Sequence, residues 1–154
     1  MKKVISVLLV ALFLASGLSF AEQKGKICVA TKEKSPEAAV SDLAALAPYF
    51  LIFDAKGNFI EAIDNPLKDQ KGKAGKLLGG FLTEKGVTAV VGKDYCGDIV
   101  GILKNQGITP YNFEGNAAEA AAGVAQGKVE EATKEKATVP NHKAAHDKAG
   151  KGGI

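Results

Sequence analysis

Residues 86–97 read Gly-Val-Thr-Ala-Val-Val-Gly-Lys-Asp-Tyr-Cys-Gly, and they join two helical patterns through one short apolar strand. Upstream, apolar residues three and four positions apart predict a helix that opens at residues 72–75, continues through Lys85 and ends at Gly86. The apolar face of this helix carries Leu77, Leu78, Phe81 and Leu82. Downstream, the positions of Ile99, Ile102 and Leu103 predict a second helix, which Gly107 ends. Because a helical crossover leaves the strands it connects parallel, this unit predicts a parallel arrangement.

The remaining elements follow from the same patterns. Short apolar runs predict strands at residues 27–31, 49–53, 59–63 and 108–113, the second and third forming a β-hairpin across the turn at residues 54–58. Asn116 is predicted to cap an alanine-rich helix over residues 117–126. The order β, ββ, α, β, α, β, α predicts an α/β domain with a mixed, mostly parallel five-stranded sheet.

The first 21 residues have the pattern of a cleavable secretory signal peptide. Lys2 and Lys3 precede an apolar run from Val4 to Leu14, and small residues at Ser19 and Ala21 predict cleavage before Glu22. The apolar run is shorter than the roughly 20 residues that span a bilayer. We therefore expect a periplasmic or secreted protein with no membrane anchor after cleavage.

The predicted mature chain is close to neutral. Cleavage would leave 133 residues and, with the loss of Lys2 and Lys3, would lower the formal net charge from +3 to +1. Every basic side chain is lysine, and tryptophan is absent. Since arginine supplies the bidentate contacts used for bases and phosphates, this composition disfavours a nucleic-acid partner.

The chain divides into three parts by composition. Residues 1–21 are the predicted signal peptide, and residues 22–128 contain all the predicted strands and helices in one domain. Residues 129–154 are rich in Lys, Glu, Ala, Gly and Thr and almost lack large apolar side chains. Such a segment buries too little surface to fold alone, so we expect a disordered or loosely helical tail.

Three loops are predicted at the carboxyl edge of the sheet, where open α/β sheets bind ligands. The loops are residues 31–41, 65–75 and 92–98. The middle loop carries Lys71 and Lys73, and at Gly75 it enters a helix whose first amides are unpaired. These features predict an anion site, although a solvated lysine-rich loop remains the alternative.

Cys96 is the best single candidate for a metal ligand. It lies between Lys93 and Gly97 just before a helix, where the thiolate that binds soft metals is favoured. The alternatives are a free thiol in a turn or a disulfide with Cys28. Since Cys28 falls near the start of a predicted buried strand, we expect it to be a small core residue.

His142 and His146 form a second candidate metal site. Their spacing would place both imidazoles on one face if the tail became helical. No metalloprotease-type glutamate lies between them, and a solvated polar tail remains the alternative.

No catalytic constellation is present in the predicted domain. The first strand carries no carboxylate for two-metal chemistry, and the glycines are wrongly spaced for a phosphate loop or a dinucleotide fingerprint. We therefore predict a protein that is not an enzyme.

An ordered set of segments resembles the dinitrogenase iron-molybdenum cofactor-binding family, which includes the NifX and NifY types and the domain at the end of NifB. The segments are residues 47–54, Asn65-Pro66, the helix start at residues 72–75, residues 86–92 and residues 103–108. The resemblance implies a ribonuclease-H-like, three-layer α/β fold that carries an anionic metal-sulfur cluster. Some relatives resemble molybdenum-copper cluster proteins, whereas the predicted signal peptide departs from the intracellular nitrogenase members.

The resulting hypothesis is an exported, non-catalytic carrier of a molybdenum/iron or molybdenum/copper sulfur cluster. Lys71, Lys73, Gly75, Lys93 and Gly97 would bind the cluster, Cys96 would supply a soft ligand, and a donor or acceptor metalloprotein would be the partner. A structural or protein-interaction module of the same fold without a cluster is the alternative.

Overall fold

The computed structural model describes residues 25–70, 72–95 and 97–133. Its strands are β1 (Lys26–Thr31), β2 (Tyr49–Phe53), β3 (Phe59–Asp64), β4 (Val87–Gly92) and β5 (Thr109–Asn112). Its helices are α1 (Ala74–Glu84), α2 (Gly97–Asn105) and α3 (Ala117–Ala125), and a short 3-10 turn covers Ala44–Leu46. The predicted order of elements is confirmed, with the 3-10 turn added between β1 and β2.

The five strands form one sheet in the order β3-β2-β1-β4-β5. β1 pairs in parallel with β4, and β4 pairs in parallel with β5. β2 runs antiparallel to both of its neighbours, β1 and β3. Since β2 alone is reversed, four of the five strands point the same way, and the prediction of a mixed, mostly parallel sheet is confirmed.

Helices cover both faces of the sheet. Alternate residues of β1 separate the two sides: Cys28 and Ala30 pack with α1 and α2, whereas Ile27 and Val29 pack with α3. Both faces of β1 are therefore buried, which explains why its sequence is a continuous apolar run. The arrangement is the three-layer α/β architecture that the family resemblance implies.

Helix α1 is two residues shorter at its start than predicted and presents a narrower apolar face. Leu78 and Leu82 are fully buried, but Leu77 is 46% exposed, so its predicted place on the buried face is wrong. At about 100° per residue, Leu77 lies well to one side of the arc that contains Leu78 and Leu82. Spacings of three and four therefore identified the helix but extended its buried face one residue too far.

The alanine-rich helix begins as predicted. The side chain of Asn116 accepts a hydrogen bond from the backbone amide of Glu119 at 2.8 Å, which satisfies one of the otherwise unpaired amides. The helix then buries Ala117, Ala120 and Ala121 against the sheet. Small side chains here allow α3 to approach the strands closely.

A short segment beyond the predicted domain boundary covers the free edge of β5. The backbone amide of Asn112 donates to the carbonyl of Glu130 at 3.1 Å, and the backbone amide of Ala132 donates to the carbonyl of Pro110 at 2.8 Å. Ala132 is only 1% exposed. We call residues 129–132 the strap. The strap belongs to the folded part of the chain, whereas residues 134–154 lie outside the described residues, as does the predicted signal peptide.

Among the described residues, no helix has the length and apolar character required to cross a membrane.

Candidate functional site

One edge of the sheet collects the ends of the parallel strands and the starts of all three helices. β1, β4 and β5 end there, and α1, α2 and α3 begin there. Backbone hydrogen bonds tie the first and third predicted loops together, since Lys93 donates to the carbonyl of Ser41 and Asp94 to that of Asp42, both at 3.0 Å. The first and third of the loops predicted at this edge therefore form one connected surface.

The first turns of α1 and α2 lie side by side at this edge. A Cβ atom added to Gly75 would lie 2.3 Å from Cγ1 of Ile99, so only glycine permits this approach without displacing Ile99. Gly97 begins α2 two residues before Ile99. The structure thus brings Gly75 and Gly97 into one neighbourhood, where the positive dipole ends of two helices lie on the same side. The prediction that the first amides of α1 are unpaired is wrong, because Lys73 and Ala74 both donate to the carbonyl of Gln70 in the preceding turn, at 3.0 and 2.8 Å.

Lys73 supplies a positive charge where α1 begins. It is the N-cap residue, it is exposed, and among the described residues no ion pair engages its ammonium group. Asp98, in the first turn of α2, places a negative charge nearby and is also exposed. The remaining lysine predicted for this loop, Lys71, lies outside the described residues.

Lys93 is held apart from this group on the side of the sheet that carries α3. Its ammonium nitrogen lies 3.1 Å from a carboxylate oxygen of Glu114 and 3.4 Å from one of Asp42. These carboxylates raise the pKa of Lys93, Glu114 contributing most, while Lys32 and then Lys93 lower the pKa of Asp42. The structure therefore pairs Lys93 internally and does not bring it together with Lys73.

A shallow cavity opens on the same side, with a volume of about 290 Å³. Its charged lining consists of Lys32, Lys93, Glu37 and Glu114. The positive and negative side chains are equal in number, so the cavity has no excess charge that would select an anion. We place the candidate site at the α1 and α2 starts instead.

Tyr95 fixes the loop between β4 and α2, and the sequence patterns did not identify it. Its side chain is 2% exposed, and its hydroxyl lies 2.9 Å from the carbonyl oxygens of both Val90 and Tyr111, sharing its proton between them. Burial raises the pKa of Tyr95, so the hydroxyl stays protonated. Tyr95 therefore ties this loop to two neighbouring strands of the sheet.

Asn65 fixes the middle loop in a comparable way. It is 1% exposed and donates to the carbonyls of Ala45 and Ala47 at 3.0 and 2.7 Å, while its side-chain oxygen accepts from the amide of Leu67 at 2.8 Å. All of these partners are backbone groups, so Asn65 positions the loop and is not a free ligand. An Asn-Pro pair directly after a strand was the signal available in the sequence.

Of the two cysteines, the structure describes only Cys28. Cys28 is a free thiol with no exposed surface, and burial raises its pKa, which disfavours the thiolate. The prediction that Cys28 is a core residue is confirmed, and it forms no disulfide. Cys96 lies outside the described residues, so its role as a ligand stays a prediction.

His142 and His146 also lie outside the described residues. Among the residues that are described, no group of three or more histidine, cysteine or carboxylate side chains is arranged to hold a metal ion. The described edge offers the charge of Lys73 and the starts of two helices, which suit an anion better than a bare cation.

A family model described as dinitrogenase iron-molybdenum cofactor matches residues 25–127, about two thirds of the chain. The matched segment covers every strand and helix of the structure and ends just before the strap. A comparison with curated proteins finds no significant match.

Solved structures share the same fold. The solution structure of a Thermotoga protein assigned as a NifB protein is 26% identical, with a TM-score of 0.57, covering 70% of this chain and 92% of that one. The apo form of the orange protein from Desulfovibrio gigas is 20% identical, with a TM-score of 0.65 and coverages of 73% and 96%. A Methanocaldococcus jannaschii protein assigned as a dinitrogenase is 16% identical, with a TM-score of 0.51 and coverages of 70% and 93%.

The extent of the family match and the agreement in fold lead to one conclusion: this chain belongs to the dinitrogenase iron-molybdenum cofactor family.

Proposed function

We propose that this protein is a non-catalytic carrier that holds an anionic metal-sulfur cluster where α1 and α2 begin. The observation that carries the proposal is the contact between the first turns of these helices at Gly75 and Ile99, in a chain of the cofactor family. The cluster is cargo, of the molybdenum/iron or molybdenum/copper sulfur type, received from or delivered to a partner metalloprotein.

Electrostatics at this edge support an anion. Each helix end contributes about 0.3–1 kcal/mol of attraction for a surface anion, and adjacent ends act on the same ligand. Lys73 adds a full charge that no described carboxylate neutralises. Cys96, which directly precedes α2 in the sequence, would add a sulfur ligand.

The described residues fit a carrier better than a catalyst. β1 ends in Thr31, whose hydroxyl donates to the carbonyl of Glu33, and no residue of this central strand is a carboxylate. A carrier needs only to bind and release its cargo, and an open, charged edge without a closed ligand set allows both.

Tetrathiomolybdate, a molybdenum-sulfur dianion with visible charge-transfer absorption, provides a direct test. Purified protein is titrated without oxygen, and we expect saturable binding that weakens about tenfold in Lys73→Ala and further in the Lys73→Ala, Cys96→Ala double variant. Lys85→Ala, which removes the same charge from the other end of α1, is the matched control and retains wild-type affinity. Equal binding by wild type and the double variant would overturn the proposal.

Export to the periplasm or the medium is a separate part of the proposal, supported by the pattern of residues 1–21. Cell fractionation followed by mass spectrometry of the intact protein tests it. We expect an N-terminus at Glu22 in the exported fraction, and a full-length cytoplasmic protein would contradict export without affecting the cluster site.

A further inference from the structure

The outward face of α1 carries an apolar side chain that the fold leaves uncovered. Leu77 is 46% exposed, one of three large apolar residues with that degree of exposure among the described residues. It points away from the sheet, because Leu78 and Leu82 occupy the buried side. The α1 surface around Leu77 therefore has a hydrophobic side chain available for contact with another molecule.

Four exposed residues line this face in a single stripe. They are Lys73, Leu77, Gly80 and Glu84. With steps of four, three and four residues, they fall within about 60° of one another around the helix and span about 16 Å along it. We call this set the α1 stripe.

The α1 stripe is complementary to itself when two copies run antiparallel. Reversal about its centre places Leu77 opposite Gly80 and Lys73 opposite Glu84. A Cβ atom added at Gly80 would meet nothing within 4 Å, so the surface at Gly80 is open and a leucine side chain of a second copy can approach the helix backbone. Neither Lys73 nor Glu84 takes part in an ion pair among the described residues, so both charges are available to a second copy.

We propose that the α1 stripe is a two-fold interface through which the protein pairs with a second copy of itself. Each dimer would contain two Leu77–Gly80 contacts and two Lys73–Glu84 ion pairs, the isologous pattern required of a two-fold contact. The charge order favours this occupant, since a partner surface of a single sign would be repelled by either Lys73 or Glu84, whereas a second copy pairs both charges. The inference does not rest on the proposed cargo, but both use Lys73, so the test is made on cargo-free protein.

The expected dimer is weak. One face of an 11-residue helix is smaller than the roughly 800 Å² per partner that stable complexes bury. The proportion of dimer should therefore rise with protein concentration and fall with salt, which screens exposed ion pairs.

Sedimentation equilibrium over a series of protein concentrations tests the interface. We expect a monomer–dimer equilibrium that Leu77→Glu shifts to monomer. Lys73→Glu and Glu84→Lys should each weaken the dimer about tenfold, because each turns both interfacial ion pairs into pairs of like charges. The double variant Lys73→Glu, Glu84→Lys restores both ion pairs with reversed sign and should regain wild-type affinity.

Ile60→Glu is the matched control, because Ile60 is 47% exposed on the edge strand β3, away from the α1 stripe. It should leave the dimer unchanged. A monomer at every concentration, or a dimer that responds to Ile60→Glu and not to the charge swaps, would overturn the proposal. The charge variants lie on exposed positions and keep the test valid even if Leu77→Glu fails to fold.

Discussion

Two buried side chains, Tyr95 and Asn65, hold the loops of the candidate site by hydrogen bonds to backbone carbonyls. Tyr95 connects its loop to β4 and β5, and Asn65 connects the start of the middle loop to the 3-10 turn and to the residue that follows it. Neither residue is exposed, so each acts on the edge through the backbone it positions. The shape of a ligand-binding edge thus depends on residues that the ligand would not touch.

Alkaline pH should destabilise the protein through Tyr95 and Cys28. Burial raises the pKa of both groups above their ordinary values of 10.0 and 9.0, so above those values the unfolded chain releases protons that the folded chain retains. Stability is therefore complete below about pH 9 and falls above it, by about 1.4 kcal/mol per pH unit for each group past its ordinary value. Urea unfolding measured from pH 8 to pH 11 checks this, and Tyr95→Phe should remove the part of the slope that begins near pH 10.

Asn65→Asp should cost about 2–4 kcal/mol of unfolding free energy at neutral pH. The carboxylate keeps the shape of the amide and can still accept from Leu67, but it faces the carbonyls of Ala45 and Ala47 without a proton to donate. Denaturant titration of Asn65→Asp against Asn65→Ala gives the comparison. An aspartate variant as stable as wild type would show that the two carbonyls do not need the amide donors.

At the scale of elements, the close contact between Gly75 and Ile99 fixes the distance between the first turns of α1 and α2. That distance decides whether the two helix ends can act on one ligand. Gly75→Ala should cost about 1–3 kcal/mol, because the new methyl group overlaps Ile99. The second change Ile99→Ala removes the overlap, so a double-mutant cycle should show a favourable coupling. If the effects of Gly75→Ala and Ile99→Ala on the free energy of unfolding simply add, the contact between the two side chains does not limit how closely the helices pack.

Asp98 opposes an anion at the start of α2. Asp98→Asn removes a negative charge from the first turn, so tetrathiomolybdate affinity should rise about threefold at low salt while the helix loses about 0.3–1 kcal/mol of favourable dipole interaction. Glu61→Gln, the same loss of charge on the exposed edge strand β3, is the control. Equal affinity in both variants would place the anion away from the start of α2.

Sequence patterns predicted the strands and helices well because each element has a strong local signature. β1 is a continuous apolar run, and α3 has a capping asparagine. The grouping of Lys93 with Lys73 was not supported, because strand alternation turns Lys93 towards α3, where Asp42 and Glu114 lie close only in the folded chain. Contacts between residues distant in sequence leave no local pattern to find.

At the scale of the whole molecule, the two outer strands of the sheet differ in how their free edges are covered. At β5, Pro110 has no amide to donate, and the strap covers the strand, whereas β3 is the outer strand on the other side. The strap has almost no sequence signal, since a single small residue, Ala132, provides its deeply buried contact. This is why composition placed the boundary at residue 128.

Truncation should show how much the strap contributes. A chain ending at Thr133 should unfold at wild-type denaturant concentration, whereas one ending at Lys128 should lose about 2–3 kcal/mol, from two backbone hydrogen bonds and the burial of Ala132. Lys104→Ala, which removes only the strap's ion pair with Glu131 at 3.3 Å, should cost less than 1 kcal/mol. Equal stability of the two truncated chains would make the strap an incidental contact.

The central position of β1 has a kinetic consequence. Its parallel partner β4 follows about 60 residues later in the chain, with Cys28 opposite Val90, so the middle of the sheet closes only after a long loop has been ordered. Such non-local pairing slows folding to the millisecond-to-second range typical of high contact order. The thiol of Cys28 is fully buried in the closed sheet, so a thiol reagent added during refolding should label only chains whose sheet has not yet closed. The rate at which Cys28 becomes protected from the reagent would therefore report the rate at which the sheet closes.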